Sequence, residues 1–126
     1  MAKFTAGELE VMQILWERGE LKPAEIQDVF PRSIKNPALR SVLGVLLEKG
    51  HVVRSQKGKA FFYKAKTKQE SAFKSMVREL ADQFCEGSMK SLLFNLAASE
   101  KLSDEDVKEL KKLAAKKPQS GKRGAE

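Results

Sequence analysis

Arg40, Ser41 and Val45 sit within two turns of one apolar-periodic stretch, and Arg54, Lys57 and Lys59 follow it closely. These side chains suit recognition of a polyanion. An arginine can grip guanine with two parallel hydrogen bonds or clamp a phosphate; a serine hydroxyl reaches a base or a phosphate; a valine packs against a thymine methyl. Lys57 and Lys59 flank Gly58, a place from which ammonium groups reach a phosphate backbone or a minor groove. Lys35 precedes the stretch and adds a further cation. Each residue taken singly also reads as ordinary surface, and lysines near a hairpin tip serve solubility and guard an exposed edge.

Other chemistries find no footing. His51 has no nucleophile or acid spaced with it for catalysis, and reads as a structural or phosphate-contacting residue. Cys85 reads as a small hydrophobe at the edge of an apolar helical face. Glycine-rich phosphate loops, zinc spacings and catalytic triads are absent from the sequence. The run "DEDVKEL" is a helix's acidic first turn, where carboxylates oppose the helix dipole. No catalytic residue, metal or cofactor is therefore expected.

The charge is segregated along the chain. The 126 residues carry +7 overall. Residues 1–29 hold three basic and six acidic residues, whereas residues 30–68 hold ten basic residues and one acidic, Glu48, a local charge of +9. Solubility alone does not require such segregation, so a nucleic acid is the expected partner, ahead of a membrane surface. No apolar run approaches the ~18 residues of a membrane span. The start of the chain lacks the apolar core of a secretion signal, and a lone cysteine agrees with a reducing compartment. A cytoplasmic protein without membrane insertion is expected.

The elements that must position these residues follow from periodicity. "TAGELEVMQILWERG" opens with Thr5 and Glu8 in capping-box spacing and ends at Gly19, with Leu9, Met12, Leu15 and Trp16 as its apolar stripe. "KPAEIQDVF" gives a short second helix that buries Ile26, Val29 and Phe30, with Pro23 suited to its first turn. "NPALRSVLGVLLEKG" is a third helix. At 100° per residue, Leu39, Val42, Leu43 and Leu46 share one side, and Pro37, Ser41, Gly44 and Glu48 fall opposite. That bare outer face is what close approach to base edges requires. "HVVRS" and "AFFYKA" then form a β-hairpin turning at Gly58, with at least one of Phe61, Phe62 and Tyr63 entering the core. Three helices and a basic hairpin are the element order of a winged helix-turn-helix.

Beyond the polar joint "KTKQE", a fourth helix carries Phe73, Met76, Val77, Leu80 and Phe84. A fifth carries Met89, Leu92, Leu93 and Leu96, and a sixth opens on the capping box of Ser103 and Asp106. These helices are short and hold more apolar residues than so small a region covers by itself. A second copy of the chain would cover Phe73, Met76, Val77, Leu80, Phe84, Leu92, Leu93 and Leu96; the alternative is that these helices pack back on the first domain. The expected fold class is mainly α with a small β-hairpin. A winged helix-turn-helix domain spans residues 1–68, a helical dimerisation domain residues 69–117, and a disordered tail residues 118–126.

The segments "ELEVMQILWERG", "AEIQDVF" and "LRSVLGVLLEKGHVVRSQKGKAFFYKA" resemble the penicillinase-repressor family, and "FCEGSMKSLLFNLAASEKLSDEDVKELKKL" resembles its dimerisation region. The resemblance runs from about Phe4 to Leu113. It implies a homodimeric winged-helix repressor on a two-fold symmetric operator in double-stranded DNA, released by proteolysis under a membrane sensor protease. Arg40 and Ser41 match the family's basic-then-hydroxyl pair. Ala38, Gly44 and Val45 depart from its reading face, which implies a different operator. Asn95-Leu96 occupies the place of the family's cleaved Asn-Phe bond. The cysteine pairs of the family's copper-responsive branch are missing, which argues against copper sensing. The competing expectation is a winged-helix module that docks on protein and reads no DNA.

Overall fold

The computed structural model describes residues 4–116. The expected tail lies outside the described residues. The elements run α1 (Ala6–Arg18), α2 (Pro23–Val29), α3 (Asn36–Lys49), β1 (Val52–Lys57), β2 (Ala60–Ala65), α4 (Gln69–Phe84), α5 (Met89–Ser99) and α6 (Asp104–Ala115). Two compact units divide after Leu80.

The first unit is built around α1. Thr5 Oγ1 accepts the Glu8 amide at 3.1 Å, and the Thr5 amide donates to Glu8 Oε1 at 3.0 Å, so the capping box forms as its spacing predicts. Glu8 does more than cap. It is 5% exposed, and both its oxygens accept from Lys49 Nζ at 3.2 Å, tying the start of α1 to the end of α3. The apolar stripe of α1 is buried unevenly. Val11, Met12, Ile14 and Leu15 are buried, while Leu9 and Trp16 are half-buried. The helix is apolar on two sides and uses both. One packs into the core; Leu9, Gln13 and Trp16, the last also packed against the core, line an apolar groove of about 400 Å³ with Ala72, Phe73, Met76, Val77 and Leu80 of α4.

The short α2 starts without a side-chain cap at Lys22. Its first turn is secured from within: Glu25 Oε1 accepts the Lys22 amide at 2.8 Å. Ile26 and Phe30 are buried and Val29 is half-buried. On α3, Leu39, Leu43 and Leu46 are fully buried and Val42 is partly so; each such leucine contributes about 1.5–3 kcal/mol by leaving water. Gly50 stops α3 in the left-handed region at φ 82° and ψ 16°, where a side chain would clash with its own backbone.

The strands pair antiparallel from Val52↔Ala65 to Lys57↔Ala60. Gly58 and Lys59 make the two-residue turn, with positive φ at Gly58 alone, as a type II′ turn has it. Tyr63 and Val52 enter the core. Leu21 adds a third, single-residue strand beside β2: its amide donates to the Tyr63 carbonyl at 3.0 Å and its carbonyl accepts the Tyr63 amide at 2.8 Å. The result is a winged helix-turn-helix, mostly helical, as the element order predicted.

In the second unit the end of α4 turns at Glu86 and Gly87, both with positive φ, and the Gly87 amide reaches the Ala81 carbonyl at 3.0 Å. Ala81 and Leu92 are buried there. Ser88 caps α5, and Ser103 and Asp106 close the expected capping box on α6. No residue of α6 is buried.

Candidate nucleic-acid interface

Burial of Leu39, Leu43 and Leu46 fixes which side of α3 faces outward. Pro37, Ala38, Arg40, Ser41, Gly44, Val45 and Glu48 are all on the outer side, and Ala38, Arg40, Ser41, Gly44 and Val45 are exposed. A Cβ placed on Gly44 would meet nothing within 4 Å, so this glycine is not demanded by packing. Arg40 Nε donates to Asn36 Oδ1 at 2.8 Å, one turn back along the helix. That bond directs the side chain and leaves the two terminal guanidinium nitrogens without a partner among the described residues. Lys35 stands at the N-cap of α3, exposed, and makes no capping bond.

Strand alternation sorts the wing. Arg54 falls on the face that carries Val52 and Tyr63, and its guanidinium carbon lies 4.7 Å from the centre of the Phe61 ring. Lys57 falls on the opposite face with Ser55, Phe62 and Lys64. Arg54 and Lys57, read together from the sequence, are therefore turned apart. Lys59 occupies the turn. It joins Arg40, Lys22, Pro23, Ala24, Ala60 and Phe61 around a concavity of about 200 Å³, which brings the helix and the wing tip to one place.

The Leu21 bridge carries two residues that sequence reasoning did not assign to the site. Leu21 faces the core side with Tyr63, so Glu20 and Lys22 project to the outer face of the sheet. Lys22 Nζ lies 6.0 Å from the Phe62 ring centre and Lys57 Nζ 4.9 Å from it. Glu20 Oε1 accepts from Lys57 Nζ at 2.8 Å, and Glu20 Oε2 from Ser55 Oγ at 3.1 Å. The hydrogen bond from Lys57, then that from Ser55, holds the Glu20 carboxyl below the usual carboxylate range. The only hint in sequence is the polar-apolar-polar run Glu20-Leu21-Lys22, too short to mark a strand.

His51 is structural. Its Nδ1 lies 2.8 Å from Thr67 Oγ1, and its ring is stacked at a tilt 4.5 Å from that of Phe4. Cys85 is half-buried after α4, with Asn95 Nδ2 donating weakly to its sulfur at 3.8 Å. Among the described residues, no three His, Cys, Asp or Glu side chains gather to hold a metal ion, and no helix is long and apolar enough to cross a membrane. Of the apolar residues expected at a dimer contact, Phe73, Leu80, Phe84, Leu93 and Leu96 are exposed, Met76 and Val77 are half-buried, and Leu92 is buried within its own chain.

The family model described as "Penicillinase repressor" matches residues 4–116. The chain belongs to the penicillinase repressor family. It is 25% identical over 105 residues to the penicillinase repressor of Bacillus licheniformis, covering 82% of each chain. It is 22% identical over 111 residues to that of Staphylococcus aureus, covering 86% of this chain and 88% of the relative. Among solved structures it is similar to the YusO protein from Bacillus subtilis, at TM-score 0.51 and 19% identity over 88% of this chain and 72% of that one. The transcriptional regulator PA4135 gives TM-score 0.50 and 23% identity, with 79% of each chain covered. These two likenesses concern the fold. As a penicillinase repressor family member the chain is a DNA-binding transcriptional regulator with a winged helix, and not an enzyme.

Proposed function

We propose that the chain is a cytoplasmic homodimeric repressor that reads a two-fold symmetric operator. In this reading α3 lies in the major groove, Arg40 and Ser41 contact base edges or phosphates, and Val45 packs on a thymine methyl. Lys35 and the wing cations Arg54 and Lys59 hold the flanking backbone, with Lys57 beside them and paired to Glu20. The observation that carries the reading is the outer face of α3, bare at Gly44 and flanked by Arg40, beside a wing tip that brings Lys59 to the same concavity.

Dimerisation through the C-terminal helices is supported by apolar residues left uncovered in one copy. Phe84 is 75% exposed and Leu113 64%, more than solitary surface residues account for when Leu93, Phe94, Leu96 and Leu110 join them. The family's mode of release points to a membrane sensor protease and to the Asn95-Leu96 bond, whose residues are exposed on α5. Leucine stands at this bond in place of the family's phenylalanine.

The test is fluorescence anisotropy with promoter fragments across a salt series. Affinity for all fragments should fall by on the order of 10²-fold or more between dilute and physiological salt, with one fragment retained above the rest. Arg40→Ala combined with Lys59→Ala should weaken binding and flatten the salt slope by about 0.9 for each phosphate left unneutralised. Undiminished binding by that variant moves the interface elsewhere. No binding by the parent chain favours a module that docks on protein.

A further inference from the structure

The stretch of residues 30–68 carries one acid against ten bases, yet folding delivers a second carboxylate into its most basic part. Glu20 reaches the wing because Gly19, at φ 85°, turns the chain out of α1, and because the paired hydrogen bonds between Leu21 and Tyr63 then lock that segment along β2. Glu20 is thereby fixed on a sheet face that it shares with Lys22, Lys57 and Lys64. It is the only acid among residues 20–22, 52–57 and 60–65. Its two oxygens are both engaged, one by Lys57 Nζ at 2.8 Å and the other by Ser55 Oγ at 3.1 Å.

A carboxylate bound to a lysine at a wing tip competes with the phosphates that the same lysine would bind. Lys59, two residues on, has no acidic partner among the described residues, and neither does Arg40. We propose that Glu20 is an internal counter-ion that holds Lys57 from the DNA backbone and so sets the affinity of the wing. A phosphate approaching Lys57 must displace Glu20 and then tolerate its charge nearby, so Lys57 contributes less to binding than its place at the tip suggests. The proposal rests on the DNA-binding reading of the wing and adds a residue that limits it.

The experiment uses the full chain and a short fluorescein-labelled duplex of mixed sequence, so that no operator need be known. Parent, Glu20→Gln, Lys57→Ala and the double variant are titrated across a salt series. Glu20→Gln should bind about two- to fivefold more tightly, the range of an exposed ion pair, and its log–log salt slope should steepen by about 0.9 per protomer as Lys57 gains a phosphate. In the Lys57→Ala background the same substitution should give a smaller gain and no added slope. Equal or weaker binding by Glu20→Gln overturns the proposal; a weaker result makes Glu20 a strut for the wing. An equal gain in both backgrounds also overturns it, because the effect is then general charge. A parent chain with no salt-dependent duplex binding fails the underlying reading itself, and is told apart by the parent titration alone.

Discussion

The indole Nε1 of Trp16, in α1, donates a 2.8 Å hydrogen bond to the carbonyl oxygen of Thr67, in the joint between β2 and α4. Thr67 is held from β1's side as well: its amide donates to the His51 carbonyl at 3.1 Å and its hydroxyl meets His51 Nδ1 at 2.8 Å. The joint reads as a polar linker in sequence, yet three polar groups of Thr67 and the Lys66 amide are spoken for by residues far along the chain. Trp16→Phe keeps most of the ring and removes the donor. It should lower the unfolding free energy by about 1 kcal/mol, measured by urea denaturation followed by far-ultraviolet circular dichroism.

Gly44 separates stability from recognition. Glycine inside a helix costs conformational entropy, and a methyl group here meets open space. Gly44→Ala should therefore raise the unfolding free energy by about 0.5–1 kcal/mol. Gly44→Gln fills the outer face of α3 and should weaken duplex binding by on the order of tenfold while leaving the fold intact. If the glutamine variant binds DNA as the parent does, this face of α3 does not enter a groove.

His51 gives the fold a sensitivity to acid. Partial burial, and next the nearby Lys49 ammonium, hold its pKa below the ordinary 6.5, against the opposing pull of Glu8. The unfolded chain takes up this proton first as the pH falls. The stability it contributes is thus present above about pH 6.5 and is lost as the pH drops through the depressed folded value. Urea midpoints measured from about pH 7 to about pH 5.5 should decline, and the decline should be shallower in His51→Gln.

What was legible in the sequence was local. Thr5 with Glu8 and Ser103 with Asp106 declare their caps because the partners are three residues apart. Gly50 and Gly58 declare a stop and a turn because only glycine takes those dihedrals cheaply. The buried side of α3 follows from one clean stripe. The α1 stripe was legible but its division was not, because that helix has two apolar sides, one for the core and one for α4, and a single period cannot separate them. Glu8 shows the same limit: its cap was readable, but its burial against Lys49 depends on where α3 ends in space. The wing's sequence revealed its cations but not their orientation. Arg54 and Lys57 part because strand register turns them to opposite faces. Glu20 is invisible there because its partner is 37 residues away.

The open space at Gly44 sets a limit on information. A recognition surface reads base edges through side chains long enough to discriminate one base from another, and at Gly44 the outer face of α3 offers none. A genome presents on the order of 10⁶ or more competing sites. A single sparse reading head cannot pick one address from so many. In the proposed homodimer the address is written twice, so the second copy of the chain is part of the message and not only a source of tighter grip.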